Sequence, residues 1–151
     1  MQFEADNEML HAGTYSGNPM VLAAMDATLD ICLQERQRVY PHLARIGEAV
    51  CADLREVFEK ADVAAQVHHA NGVWQVFFCK EPVTRARQAR RANAAFYHRF
   101  QQEMQARGIY FHDDPLEVWF ASTAHSDADV ALTLEVAREA IAAARQASLA
   151  S

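Results

Sequence analysis

An Asn-Gly pair at positions 71 and 72 constrains the fold of this chain more than any other feature. It stands between residues 67–70, which begin with the β-branched Val67, and residues 73–78, a run rich in β-branched and aromatic residues. A two-residue type I′ turn needs positive φ at both central positions, so Asn-Gly between such runs is the strongest short-range signal for a hairpin. Glu81 and Pro82 end the second run. The sequence therefore predicts two antiparallel strands in the middle of the chain.

Helical patterns lie on both sides of this hairpin. The first runs from Pro19 to about Glu35 and is apolar nearly all round, which predicts a largely buried helix. A second helix is predicted from about Val39 to Lys60, and a third from Thr84 to Arg107 with Gly108 at its end. Ser126 is predicted to cap a last helix.

Two further short strands are predicted at residues 109–111 and 117–121, separated by turn residues. The predicted order is helix, helix, strand, strand, helix, strand, strand, helix. This order indicates an α+β fold, in which a long helix is followed by a small antiparallel sheet with helices packed on one face.

Composition limits the classes of function. With 151 residues, 51% of them hydrophobic and 23% charged, the chain is the size of one globular domain. Its net charge of -6 argues against general affinity for nucleic acid or for an anionic membrane. No run has the length of a transmembrane helix or the pattern of a signal peptide. Cys32, Cys51 and Cys79 form no CxxC pair and are typical of free thiols, so we expect a cytoplasmic protein.

Several other patterns in the sequence carry little signal for a functional site. The set His112, Asp113, Asp114 and His125 lacks the spacing of a zinc site, so no metal is predicted. Ser122 near His125 lacks the nucleophile elbow of a hydrolase. The arginines of the third helix, Arg85, Arg87, Arg90 and Arg91, fit a solvated face better than a phosphate or nucleic-acid patch.

The stretch from His11 to Pro19 is the most informative for function. Asn18 suits an N-cap and Pro19 suits a first helical position. Glycine and hydroxyl residues before a helix start expose backbone N–H groups beside the positive end of the helix dipole, which favours a phosphate or a carboxylate. Two interpretations stay open from local chemistry, a capped helix after a flexible loop or an anion site.

Two separated motifs resemble one enzyme family. Residues 11–19, HAGTYSGNP, are similar to the GT-x-SGNP segment of class III pyridoxal-phosphate aminotransferases, closest to the glutamate-1-semialdehyde aminomutase-like branch. Residues 108–112 and 117–129, GIYFH and EVWFASTAHSDAD, resemble the C-terminal strand and helix start of the same enzymes. The resemblance covers nearly the whole chain.

The resemblance implies the C-terminal part of a pyridoxal-phosphate fold type I enzyme. Residues 1–18 would end the large-domain region and form the cofactor-phosphate loop, 19–36 the connecting helix, and 37–151 the small domain. Gly13 and Thr14 would bind the phosphate of the cofactor in the partner subunit of a homodimer. Glu117 would face the small-molecule amino substrate, whereas Ser122 and His125 would be structural.

The family's Schiff-base lysine is expected upstream of the Gly-Thr loop. The two lysines present, Lys60 and Lys80, lie in charged or turn contexts that do not favour a neutral amine. No catalytic residue is therefore assigned, and we expect the chain alone to be incompetent in transamination. The competing hypothesis is a non-catalytic α+β module for interaction or dimerisation.

Overall fold

The computed structural model describes residues 13–149, and the chain divides into two compact units, 1–39 and 40–151. In the first, helix α1 spans Pro19–Gln34, as predicted. Asn18 caps it, because its Oδ1 accepts hydrogen bonds from the N–H groups of Met20 and Val21 at 3.0 and 3.3 Å. None of the residues of α1 is buried. The apolar composition of α1 predicted a largely buried helix, but the described part of this chain does not bury it.

Helix α2, Arg36–Lys60, begins three residues before the predicted start. Its predicted apolar stripe is buried at Ile46, Val50, Leu54 and Val57. This stripe forms one side of the core of the second unit.

The predicted hairpin is present, with strand β1 at Gln66–Ala70 and β2 at Val73–Phe77. Strand β3, Trp119–Phe120, pairs with β2, so the antiparallel sheet has the order β1-β2-β3. Ala70 pairs with Val73 across the Asn-Gly turn. However, φ is positive at Asn71 (53°) and not at Gly72, so the turn is not of type I′.

The predicted third helix is interrupted, which corrects the interpretation of Thr84–Arg107 as one element. A single turn, α3 at Ala86–Ala89, is followed by α4 at Ala94–Ala106. Asn93 causes the break, because its side chain accepts a hydrogen bond from the N–H of Phe96 at 3.0 Å and caps α4.

The strand predicted at residues 109–111 is also wrong. Gly108, with φ of 90°, ends α4 in a Schellman motif, in which the N–H of Ile109 bonds to the carbonyl of Met104. The carbonyl of Phe111 accepts from the Gln101 side chain at 3.1 Å. These backbone groups are therefore used by α4 and its side chains, and they do not enter the sheet.

Helix α5, Asp127–Leu149, has the predicted start, since Ser126 and Asp129 bond to each other through side chain and backbone. It packs with α4 over the sheet, around a group of edge-to-face and tilted aromatic rings. That group contains Phe58, Phe78, Phe96, Tyr97, Phe100 and Phe111. Within residues 13–149, no helix is long and apolar enough to cross a membrane.

Candidate functional site

The loop before α1 is a compact double turn. The N–H of Ser16 donates to the carbonyl of Gly13 at 3.1 Å, and the N–H of Asn18 donates to the carbonyl of Tyr15 at 3.0 Å. Since Asn18 also occupies two N–H groups of the first turn of α1, the helix terminus itself offers few donors. The anion chemistry predicted for this region therefore falls on the loop.

Thr14 lies at the exposed top of this loop. In the described part of the chain, neither its backbone N–H nor its hydroxyl has a hydrogen-bond partner. Two adjacent donors beside a helix N-terminus suit a phosphate, which offers several strong acceptor oxygens. Thr14 thus offers two donors of the type that a phosphate group accepts.

Glu117 belongs to the second unit, on the rim of a cavity of about 400 Å³. Its side chain is exposed, and within residues 13–149 its carboxylate has no hydrogen-bond or ion-pair partner. The cavity is lined mainly by apolar groups, among them Ile46, Val50, Trp74, Phe111, Trp119 and Val130. Glu117 and Asp129 are the two carboxylate residues of this lining. Trp74 Nε1 is a buried donor for which the described residues provide no acceptor.

Tyr97 holds the floor of this cavity in place, a role that sequence patterns did not reveal. Its hydroxyl donates to the carbonyl of His112 at 2.9 Å and accepts from Trp119 Nε1 at 3.1 Å. Burial raises the pKa of Tyr97 to about 12, although the hydrogen bond from Trp119 acts in the opposite direction. The neutral phenol is therefore the form that the fold requires.

The substitution Tyr97→Phe is expected to lower the free energy of unfolding by about 1–3 kcal/mol at neutral pH, because Trp119 Nε1–H loses its acceptor. The native protein should also lose stability as pH rises from 10, the ordinary pKa, towards about 12, since the unfolded state ionises first. Urea unfolding of both proteins between pH 10 and about 12 would measure this effect. The free energy of unfolding should fall less steeply with pH in the Tyr97→Phe variant than in the native protein. Burial also raises the pKa of Cys51 to about 11. Both proteins contain Cys51, so its contribution to the pH dependence cancels when they are compared.

Ser122 and His125 lie together, as expected for a structural role. Ser122 Oγ is 3.0 Å from His125 Nδ1, which also accepts from the Ser122 backbone N–H at 2.9 Å. Ser122 Oγ in turn accepts from the N–H of Ala124 at 3.3 Å. The pair closes the turn between β3 and α5, and His42 joins this turn to α2 through the carbonyl of His125 at 2.9 Å.

The other sequence candidates are dispersed. His68 and His69 point to opposite faces, and His69 pairs with Glu48 of α2 at 3.2 Å. Lys60 pairs with Glu56, and Lys80 is exposed. Within the described ranges, no group of three His, Cys, Asp or Glu side chains is placed to hold a metal ion.

Several curated relatives of this chain are glutamate-1-semialdehyde 2,1-aminomutases. The chain is 37% identical over 130 residues to a glutamate-1-semialdehyde 2,1-aminomutase of Thermus thermophilus, covering 86% of this chain and 30% of the relative. It is 33% identical over 141 residues to that of Thermomicrobium roseum, covering 93% and 32%. The matches fall in the C-terminal part of the relatives. The chain is thus similar to the C-terminal part of glutamate-1-semialdehyde 2,1-aminomutases. The predicted resemblance is confirmed.

Solved structures show the same fold. An omega-transaminase from Sphaerobacter thermophilus matches with a TM-score of 0.68 and 23% identity, over 91% of this chain and 31% of that one. A transaminase with PLP bound matches with a TM-score of 0.72 and 16% identity, over 91% and 30%. The chain thus spans about 30% of the length of these proteins, and the α+β fold predicted for this segment is confirmed. No family model matches the chain.

Proposed function

We propose that this chain is the C-terminal segment of a class III aminotransferase or aminomutase that transfers an amino group on an amino acid or amino-ketone substrate. The 37% identity to the end of an aminomutase, with the Gly-Thr loop and the segment from Glu117 to β3 in the order of the family, carries the proposal. The complete enzyme would be a cytoplasmic homodimer. Pyridoxal phosphate supplies an electron sink when bound.

The proposed roles of the chain's own residues follow from their donors and charges. Gly13 and Thr14 would hold the cofactor phosphate through the free N–H and hydroxyl groups of the loop, in the partner subunit's site. Glu117 would face the substrate from the rim of the apolar cavity. Since Lys60 is paired at the surface and Lys80 is exposed at a strand end, we propose that the Schiff-base lysine lies outside this chain.

A chimera tests this proposal. The chain would replace the matched C-terminal segment of the Thermus thermophilus enzyme, and cofactor affinity would be measured by absorbance. We expect the chimera to bind pyridoxal phosphate and Thr14→Val to weaken binding about tenfold, the loss of one hydrogen bond to a charged group. Thr28→Val is the matched control, because that exposed hydroxyl donates only to Ala24 of α1 at 2.7 Å.

Two outcomes would contradict the proposal. Equal cofactor affinity of the Thr14→Val and Thr28→Val chimeras would remove the role of the loop. Stoichiometric labelling of Lys60 or Lys80 in the chain alone, after borohydride reduction with pyridoxal phosphate, would place the Schiff base here.

A second candidate function is a non-catalytic module for interaction or dimerisation. One observation favours it: α1 buries none of its residues and exposes Met20, Val21, Leu22, Met25, Leu29, Ile31 and Leu33. Exposed apolar surface of this extent promotes association. Self-association of the chain, together with a chimera that does not bind the cofactor, would favour this candidate.

A further inference from the structure

A second cavity, of about 550 Å³, lies on the face of the sheet opposite α2. Successive strand residues point to opposite faces, so His68 points away from the face on which His69 meets α2. The segment around α3 covers this face. The cavity, here called the basic pocket, is lined by His68, Gln75, Phe77, Thr84, Arg85 and Arg90 among others.

The charged side chains that line the basic pocket are cationic, although the protein has a negative net charge. The nearest acidic residues in sequence to the lining are Asp114 and Glu117, on either side of Leu116, and Glu81. Residues 80–91 contain five cations and one anion, Glu81, whereas the whole chain carries -6. No carboxylate lines the pocket. In the part of the chain that the structure describes, neither Arg85 nor Arg90 has an ion pair or a side-chain hydrogen bond. Their charges are therefore available to a ligand.

The backbone that carries the two arginines is fixed. Arg85 directly precedes α3, and its carbonyl accepts from the N–H groups of Gln88 and Ala89 at 2.9 and 3.3 Å. Arg90 directly follows α3, and its N–H donates to the carbonyl of Ala86 at 3.1 Å. The Thr84 hydroxyl donates to the Gln88 side chain at 3.1 Å. Arg85 and Arg90, at the two ends of one helical turn, thus both line the same cavity.

We propose that the basic pocket binds an organic phosphomonoester. Two guanidinium groups match the charge of about -1.5 to -2 that a phosphomonoester carries at neutral pH, and their fork geometry suits its oxygens. A single carboxylate would leave one arginine uncompensated. The ring of Phe77, in edge contact with His68 at 5.7 Å, and the side chain of Leu116 give an apolar wall for the organic part. This site is independent of the proposed amino-group transfer.

The test uses the full chain and phenyl phosphate, which has no aldehyde to react with lysine. Titration calorimetry at low ionic strength should show saturable binding, weakened about tenfold by Arg85→Gln and by Arg90→Gln. Arg87→Gln is the matched control: it removes the same charge from the same turn, but Arg87 does not line the pocket. It should change the dissociation constant less than about twofold. All three side chains are exposed, and unchanged unfolding midpoints would verify the fold of each variant.

Three results would overturn the proposal. The first is absence of binding at about 10 mM phenyl phosphate, beyond the weakest affinity that two such contacts imply. The second is an equal loss of affinity for phenyl phosphate in all three variants, which would mean that only the overall positive charge of this segment attracts the ligand. The third is benzoate binding as tightly as phenyl phosphate, which would exclude selection for a dianion. Tighter binding of phenyl phosphate than of inorganic phosphate would support the role of the apolar wall.

Discussion

Replacing Phe100 with alanine is expected to lower the free energy of unfolding by about 3–5 kcal/mol. Phe100 is fully buried, and its ring centroid lies 5.7 Å from that of Phe58, 5.5 Å from that of Phe78 and 6.0 Å from that of Phe111. Removal of the ring would leave a cavity among aromatic groups from α2, from the residue after β2 and from the segment after α4. Rigid rings collapse poorly into such a space, so the cost should lie in the upper part of that range.

Phe120→Ala is the matched control for this experiment. The chemical change is the same, but Phe120 is 66% exposed on the edge strand. Its substitution should alter the free energy of unfolding by less than about 0.5 kcal/mol. Urea unfolding followed by circular dichroism would measure both, and similar losses for the two variants would mean that Phe100 does not occupy the centre of the core.

Gly47→Ala is the second large expected effect, and its sign is unusual. Alanine in place of glycine normally stabilises a helix interior by about 1 kcal/mol. Here a Cβ at position 47 would lie 1.9 Å from the carbonyl oxygen of Asn71, at the hairpin turn packed on α2. Backbone atoms must shift to relieve this contact, so we expect a net loss of about 3 kcal/mol.

The reciprocal substitution Ala52→Gly isolates the effect of helix propensity. Ala52 is an exposed position of the same helix, and its replacement by glycine should lower the free energy of unfolding by about 1 kcal/mol. Denaturation midpoints of the two variants would then separate propensity from contact. A Gly47→Ala protein at least as stable as the native one would contradict the close approach of turn and helix.

Local chemistry was sufficient to predict most of the fold. Asn18 and Ser126 are caps with short-range partners, and the Asn-Gly hairpin needs only neighbouring residues. The errors arose where side chains compete with periodicity. Asn93 interrupts an apolar helical pattern by capping, and Gln101 takes the carbonyl of Phe111 away from any sheet. Such competition depends on spatial neighbours that periodicity does not contain.

The Gly13–Thr14 loop and the basic pocket could be predicted from the sequence to different extents. The Gly13–Thr14 loop is contiguous in sequence, so its motif could be recognised directly. The basic pocket combines strand residues with Arg85 and Arg90, and only the fold brings His68 and Gln75 beside them. The negative net charge of the chain favoured a solvated face for these arginines, and the pattern of Thr84–Arg107 did not reveal the break after α3.

The two tryptophans have a consequence for spectroscopy. Trp74 and Trp119 are the only ones in the sequence, and both are buried within the second unit, with ring centroids 6.3 Å apart. Trp119 stacks on Phe111 at 3.8 Å. Intrinsic fluorescence of this protein would therefore report the opening of a single indole pair between β2 and β3. Melting of α1, which has no aromatic residue, would be invisible to fluorescence and would register only as lost ellipticity.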